Sequence, residues 1–525
     1  MGEGRDTNTQ QAQQLNIKAA IAIANTVRST LGPYGMDKMS VDNQGHFVVT
    51  NDGATILREL DVAHPGARMV VNMSKTQEQE CKDGTTSVVV LAGKLLENAE
   101  RLLAKGVHPH VICKGYRYAS LKAVESLDQD RGLGIEYTPE ELQLQVARTA
   151  ICGKSAELED ATTIAQMVVD AVTLVGGDDS RIKVVSQVGG TFADSKLFDG
   201  VVLNKEFAST IKPQWDGKDA PIVLLNTGLT PPPMHDSMRV QLGSMAEVQQ
   251  FQMAEQRMLV ERAKALIQLD AGYVFCRDGV HEAIIHTLAQ EGIGVVSRVP
   301  QSDMEAISRL TGEPIYHMTE DIPQTVLDNG HTVRYATVTE HTIGDIRYIS
   351  VESDMDDADG VSTLVLRGAT RQTVDELERA FDDAIGVTAL VHCSMVNGLH
   401  DCLPGAGAPY MAAAKSIAYK CKEIEGRQRL AVESFAESLY CIPVTIAENA
   451  GHNALDTLLK VNQLSSNKMG IDATTGELID AVEAGIIEPK AVVRQVILSA
   501  TEVANAILRI DDIIGRRGED TGQPV

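Results

Sequence analysis

Asp83-Gly84-Thr85-Thr86-Ser87 runs directly into a stripe of Val88, Leu91, Ala92, Leu95, Ala99, Leu102 and Leu103. The apolar residues recur every three or four positions, which predicts an amphipathic helix. Gly106 is its expected stop, and Pro109 lies just beyond. A helix start carries exposed backbone N–H groups that attract anions. Gly84 permits close approach, three hydroxyls add donors, and Asp83 could hold Mg2+ against a phosphate. The competing reading is an ordinary capped helix start. The sequence contains no GxxxxGK[ST], so the common phosphate-binding loop is absent.

Upstream, Ile17, Ala20, Ile21, Ala24, Val27 and Leu31 share one helical face, which Gly32-Pro33 ends. Phe47-Val48-Val49-Thr50 reads as a short strand closing in Asn51-Asp52-Gly53, on its own a tight turn. Gly32-Pro33-Tyr34-Gly35 is likewise a turn by default. Downstream, Gly132 and Gly134 precede Thr138-Pro139-Glu140-Glu141, a capping-box pattern that marks a domain boundary. Strand and turn signals fill residues 182–226. They continue in alternation with helices through Tyr273-Val274-Phe275 and Ile293–Val296, which predicts an α/β domain. Pro231-Pro232-Pro233 and a Met-rich helix interrupt it. Ser244-Met245-Ala246-Glu247 is a capping box for that helix, with Val248, Phe251, Met258 and Leu259 on its apolar side. After residue 363 the pattern is helical again. Gly368-Ala369-Thr370 precedes Val374, Leu377, Phe381, Ala384 and Ile385 on one face.

Other signals are weaker. Leu403-Pro404-Gly405-Ala406-Gly407-Ala408 precedes a helix, but no apolar strand leads in and Tyr410 replaces the third glycine of a dinucleotide fingerprint. His281 and His286 are five apart, which places their rings about 140° apart on a helix, so a solvated helix is the better reading than a metal site. Asp382-Asp383 lies off its helix's apolar stripe, as a solvated acidic face would. Lys154, in Cys152-Gly153-Lys154, is alone only a loop lysine.

The composition limits the function. The chain has 525 residues, with 47 Lys and Arg against 72 Asp and Glu, for a net charge of -25. That length suits about three domains. The acidic balance argues against a broad nucleic-acid or anionic-membrane surface. Aromatics are 4%, so aliphatic residues must build the cores, which favours helices and α/β layers. There is no unbroken run of about 18 apolar residues, and the polar first residues lack the apolar core of a signal peptide. Eight cysteines without a CxxC pair point to free thiols in a reducing cytoplasm.

Together the motifs resemble a group II chaperonin subunit, the family of the archaeal thermosome and the eukaryotic cytosolic chaperonin, and an archaeal thermosome subunit in particular. The matching segments are Val27-Arg28-Ser29-Thr30-Leu31-Gly32-Pro33 with Gly35–Met39, then Thr50–Leu57 and Asp83–Ser87. Ala447-Glu448-Asn449-Ala450-Gly451 and Ile507–Asp512 follow near the end. The likeness covers nearly the whole chain. It implies a multidomain α and α/β fold. An equatorial ATP-binding domain would take residues 1–138 and 400–525. A small intermediate domain would take 139–208 and 363–399. An α/β apical domain, 209–362, would bind substrate and carry a helical lid protrusion at about 231–262.

The resemblance also implies ATP and Mg2+ as ligands, non-native proteins as substrates, and identical or paralogous subunits in stacked rings. By position, Leu31, Gly32, Pro33, Asp83, Gly84, Thr85, Thr86, Ser87 and Lys154 would surround the nucleotide, with Asp83 on the metal. Gly405, Gly407, Asp472, Ala473 and Glu488 would meet its nucleoside side. Asp52 and Asp383 would be catalytic, placing and activating the attacking water. Four residues depart from the family pattern: Lys82 and Ala406 replace glycines, Tyr34 replaces a lysine, and Tyr410 replaces a frequent acidic residue. Two other functions compete with an active folding ATPase. One is a weakly hydrolysing structural subunit of a mixed ring. The other is a different ATP-using enzyme with a small substrate, for which no separate catalytic constellation is visible.

Overall fold

The computed structural model describes residues 3–41, 47–60, 62–129, 137–152, 158–231, 244–317, 334–343, 346–353, 360–396, 401–462 and 466–511. Lys154, Gly132, Gly134, Pro232 and Pro233, the side chains of Glu247 and Val248, and the chain beyond Asp511 lie outside the described residues. The chain folds into two compact units, Met1–Val169 with Asp375–Val525, and Asp170–Val374.

The first unit begins with α1 (Glu3–Arg28), β1 (Lys38–Val41), β2 (Phe47–Thr50), α2 (Gly53–Glu59), α3 (Pro65–Cys81), α4 (Thr85–Ala104), α5 (Pro109–Gln129) and α6 (Pro139–Cys152). Helix α4 buries the stripe read from the sequence, and Gly106 follows its end at φ +77. The predicted capping box opens α6. Thr138 N donates to Glu141 Oε2 at 2.9 Å, and Glu141 N donates to Thr138 Oγ1 at 3.3 Å. Helix α7 (Leu158–Leu174) then leads into the second unit.

The second unit holds β3 (Ile182–Val188), β4 (Lys196–Asp199), β5 (Val201–Leu203), β6 (Asp219–Leu225), α8 (Met245–Gln268), β7 (Tyr273–Cys276), α9 (Glu282–Gln290), β8 (Gly294–Val296), α10 (Gln301–Thr311), β9 (Ile315–Tyr316), β10 (Tyr335–Ile343), β11 (Ile346–Glu352) and β12 (Ser362–Gly368). The larger sheet runs β5-β11-β10-β6-β7-β8, with β9 also on β6. Its β6-β7-β8 part is parallel, as alternating strands and helices require. Apolar clusters led by Tyr273 and Phe275, and by Val274 and Leu266, form two cores in the unit. A second sheet has the order β3-β12-β4, with β12 wholly buried. His281 is not on the helix assigned to it from sequence. It caps α9, its Nδ1 accepting from Ala283 N at 3.2 Å.

The chain returns through α11 (Arg371–Val396), β13 (Cys402–Pro404), α12 (Ala408–Lys420), α13 (Arg427–Leu439), α14 (Cys441–Asn449), α15 (Ala454–Asn462), β14 (Met469–Ile471), β15 (Leu478–Asp480), β16 (Ile487–Pro489) and α16 (Lys490–Leu508). Both chain ends build one core. Ala24, Val27, Leu91, Leu95 and Tyr116 pack in the same cluster as Phe435, Leu439, Val496 and Ile497. Burying each large side chain contributes about 1.5–3 kcal/mol. Among the described residues, two stretches, Arg427–Asn449 and Lys490–Leu508, are long and apolar enough on average to cross a bilayer, although charged residues interrupt both. Both are mostly buried inside the protein, where their apolar faces build this core.

Candidate functional site

Four segments of the first unit meet at one cleft of about 130 Å3. It is lined by Thr30, Leu31 and Gly32, by Asn51 and Asp52, by Asp83 through Ser87, and by Thr149 and Ala150.

The first segment follows α1. Thr30 turns back with its hydroxyl on Val27 O at 2.9 Å, and Gly32 takes φ +88. The loop is held from the other end of the chain. Asn449 Nδ2 donates to Arg28 O at 3.0 Å and to Leu31 O at 2.8 Å. Arg28 pairs with Glu448 at 2.6 Å and donates to Thr445 Oγ1 at 3.2 Å.

The second segment is a helix start, not the simple tight turn expected of Asn-Asp-Gly. Asp52 caps α2, its carboxylate accepting from Thr55 N at 2.8 Å and Ala54 N at 3.4 Å. Thr85 Oγ1 donates to the same carboxylate at 3.3 Å. Asp52 is thus buried with hydrogen-bond donors around its carboxylate. A Cβ on Gly53 would stand 2.5 Å from Thr86 Oγ1. Glycine there lets α2 and α4 start side by side.

The third segment joins α3 to α4. Lys82 closes α3 in a left-handed conformation at φ 58, and Gly84 opens α4 at φ 77. Asp83 Oδ1 accepts from Gly84 N at 2.6 Å, and Gln77 Nε2 donates to Asp83 O at 2.9 Å. No side chain caps α4. Its first N–H groups, with about half a positive charge from the helix dipole, therefore face the cleft beside Thr85, Thr86 and Ser87. This is an anion site in form. The carboxylate of Asp83 and the adjacent hydroxyls are hard oxygen donors, so this set fits Mg2+ as well.

Other expected site residues lie around short strands. Leu403 pairs with Glu488 where β13 meets β16. A strand does therefore lead into Gly405, contrary to the sequence reading, but it is three residues long and antiparallel, unlike a dinucleotide fold. Gly405 N donates to Ile486 O at 2.8 Å, Ala406 sits at φ 55, and Gly407 opens α12 at φ 78. Ile471 N donates to Ala406 O at 3.0 Å, which brings the Asp472 turn alongside. Asp472 accepts from Thr475 Oγ1 at 2.7 Å and Thr474 N at 2.8 Å, and the Thr475 hydroxyl foremost holds its carboxyl below the usual range. Ala473 O lies 3.2 Å from His452 Nε2.

Burial first, and then the Asp83 charge, push the Glu488 carboxyl up to about 8. Tyr410 is fully packed nearby, and burial drives its phenol well above the ordinary value. Glu488 and Tyr410 therefore stand close enough to Asp83 to feel its charge.

The cleft thus brings together Leu31, Gly32, Asp52 and Asp83–Ser87. Pro33, Gly405, Gly407, Asp472, Ala473, Glu488 and Asp383 are not among its lining residues. Asp383 lies partly buried on α11, and Asp382 beside it is exposed. Thr30 and Asn51 adjoin expected residues. Thr149 and Ala150 had no local signal, because α6 reaches the cleft only through tertiary packing. Thr149 Oγ1 there accepts from Ile487 N at 3.1 Å.

The model of the TCP-1/cpn60 chaperonin family matches residues 23–517. Three curated relatives illustrate the likeness. "Thermosome subunit 1" of Haloferax volcanii is 40% identical over 99% of this chain and 92% of its own. "Thermosome subunit alpha" of Methanothermobacter thermautotrophicus is 38% identical over 97% and 92%. A "Thermosome subunit" of Pyrococcus horikoshii is 40% identical over 97% and 91%.

Proposed function

The chain belongs to the TCP-1/cpn60 chaperonin family and is a group II chaperonin subunit; from that premise we propose that it is an ATPase that drives enclosure and folding of non-native proteins. The observation that carries this reading is the cleft, where an uncapped helix start, Asp83 and Asp52 converge. Phosphoryl transfer needs positioning and charge neutralisation more than covalent help. The N–H groups and hydroxyls of Thr85, Thr86 and Ser87 bind the phosphates, with Gly84 allowing close approach. Leu31, Gly32 and Pro33 line the nucleotide, and Lys154 contacts its γ-phosphate. Gly405, Gly407, Asp472, Ala473 and Glu488 form the nucleoside side. Asp83 would hold Mg2+, which when bound neutralises phosphate charge. Asp52 and Asp383 orient the attacking water and take up its proton.

The same reading divides the chain into an equatorial domain (1–138, 400–525), an intermediate domain (139–208, 363–399) and an apical domain (209–362), with α8 in the lid protrusion. Residues of α8 that support a protein-binding role are Met245, Met253 and Met258, all exposed. Subunits, identical or paralogous, stack as a double ring in the cytoplasm. Among the described residues the cysteines form no disulfide, in agreement with a reducing compartment. A second reading, a weakly hydrolysing structural subunit, is favoured by Lys82 and Ala406, which hold left-handed conformations at positions where the family has glycine.

Replacing Asp383 with Ala tests the proposal. Nucleotide affinity, read by calorimetry, should stay within a few-fold of wild type while turnover falls at least a hundredfold, as expected for loss of an acid–base group. Unchanged turnover would remove Asp383 from the mechanism.

A further inference from the structure

Two residues that are each unfavourable in their own element face one another beside the phosphate loop. Lys82 ends α3 at φ 58 and ψ −11, where side chains other than glycine are strained. Gly386 stands inside the 26-residue α11, where glycine weakens a helix. Neither choice is explained by local propensity. They are explained by contact. A Cβ on Gly386 would overlap the Cβ and Cγ of Lys82 and lie 3.4 Å from its Cδ. Gly386 therefore makes a notch in α11, and the aliphatic stem of Lys82 is seated in it. Gly386 is buried, so the notch is closed by the contact.

The two partners occupy informative positions. Lys82 immediately precedes Asp83 and Gly84, the turn that opens α4 into the cleft. Gly386 follows Asp383 by three residues on α11, and residues at that spacing share a helix face. The stem of Lys82 thus ties the phosphate loop to the helix segment that carries Asp383.

We propose that Lys82 is a positioning residue for Asp383: its stem, seated against Gly386, sets the place of α11 relative to the phosphate loop. This rests on the proposed role of Asp383 in hydrolysis. The ammonium group is not needed for it.

The test uses full-length protein in its assembled state, with Lys82→Gly, Lys82→Met, Gly386→Ala and Asp383→Ala. ATP turnover is measured with Mg2+, alongside hydrogen exchange of the segment around residues 380–390 in the nucleotide-free protein. Lys82→Gly empties the notch. It should lower kcat about tenfold with KM within about threefold, and speed exchange around Gly386. Lys82→Met keeps a stem without charge, and should retain at least half of wild-type kcat and exchange protection. Gly386→Ala should impair kcat like Lys82→Gly, and adding Lys82→Gly to it should restore part of the loss. Wild-type kcat and exchange in Lys82→Gly would overturn the assignment. So would Lys82→Met as impaired as Lys82→Gly, because charge would then be the cause. Undiminished turnover in Asp383→Ala would overturn the role of Asp383 itself and this assignment with it. An inactive Asp383→Ala beside a fully active Lys82→Gly would overturn this assignment alone.

Discussion

Glu488 shows how the site sets the chemistry of a single residue. Burial, aided by Asp83, raises its carboxyl from an ordinary 4.5 to about 8. Between those values the folded chain binds a proton that the unfolded chain releases. Its stabilising effect is therefore complete below about pH 4.5 and lost as pH rises through about 8. In the metal-free protein, the thermal midpoint should fall between pH 5 and pH 9, and Glu488→Gln should flatten that fall. Equal pH profiles would refute the protonated state. Sequence made Glu488 a candidate by resemblance, but its proton could not be read there. It depends on Asp83, about 400 residues away in the chain. Asn449 is similar: its motif was visible, but the two carbonyls it clamps, Arg28 O and Leu31 O, belong to the other chain end.

Elements with a long apolar stripe were legible. Helices α1, α4 and α11 follow the spacing of Ala24, Leu95 and Phe381, because burial on one face repeats with the helical period. The capping box of α6 was legible because its bonds are local. Strands β13 to β16 were not, since three residues carry no detectable alternation and their pairing is long-range. The Asp52 cap of α2 was also hidden, as Asn-Asp-Gly serves turns and helix starts alike. The closeness of α2 and α4 gives an element-scale prediction. A Cβ on Gly53 would lie 2.5 Å from Thr86 Oγ1 and 3.1 Å from Thr86 Cα, so backbone as well as hydroxyl obstructs it. Gly53→Ala should cost about 1–3 kcal/mol in chemical denaturation, as overpacking does, and weaken nucleotide binding at least tenfold. Wild-type affinity and stability would show that the two helix starts have slack.

At the scale of the whole molecule, the acidic balance gains a meaning from assembly. In the proposed double ring, taken as eight subunits per ring, sixteen copies would carry roughly -400, at -25 each. In that proposed assembly such a surface would hydrate strongly and repel acidic chains confined within it. The first unit takes both chain ends: the cleft is lined by residues between Thr30 and Ala150, and Asn449 from the last part of the chain clamps the loop that carries Leu31. The central claim is that ATP turnover in this cleft serves non-native protein. It is tested most directly by the ATPase rate of the purified ring-sized particle, measured with and without a chemically unfolded protein. The account predicts steady turnover that shifts when unfolded protein is added and disappears in Asp383→Ala. Ring-sized particles without turnover, or turnover only by a soluble monomer, would contradict it.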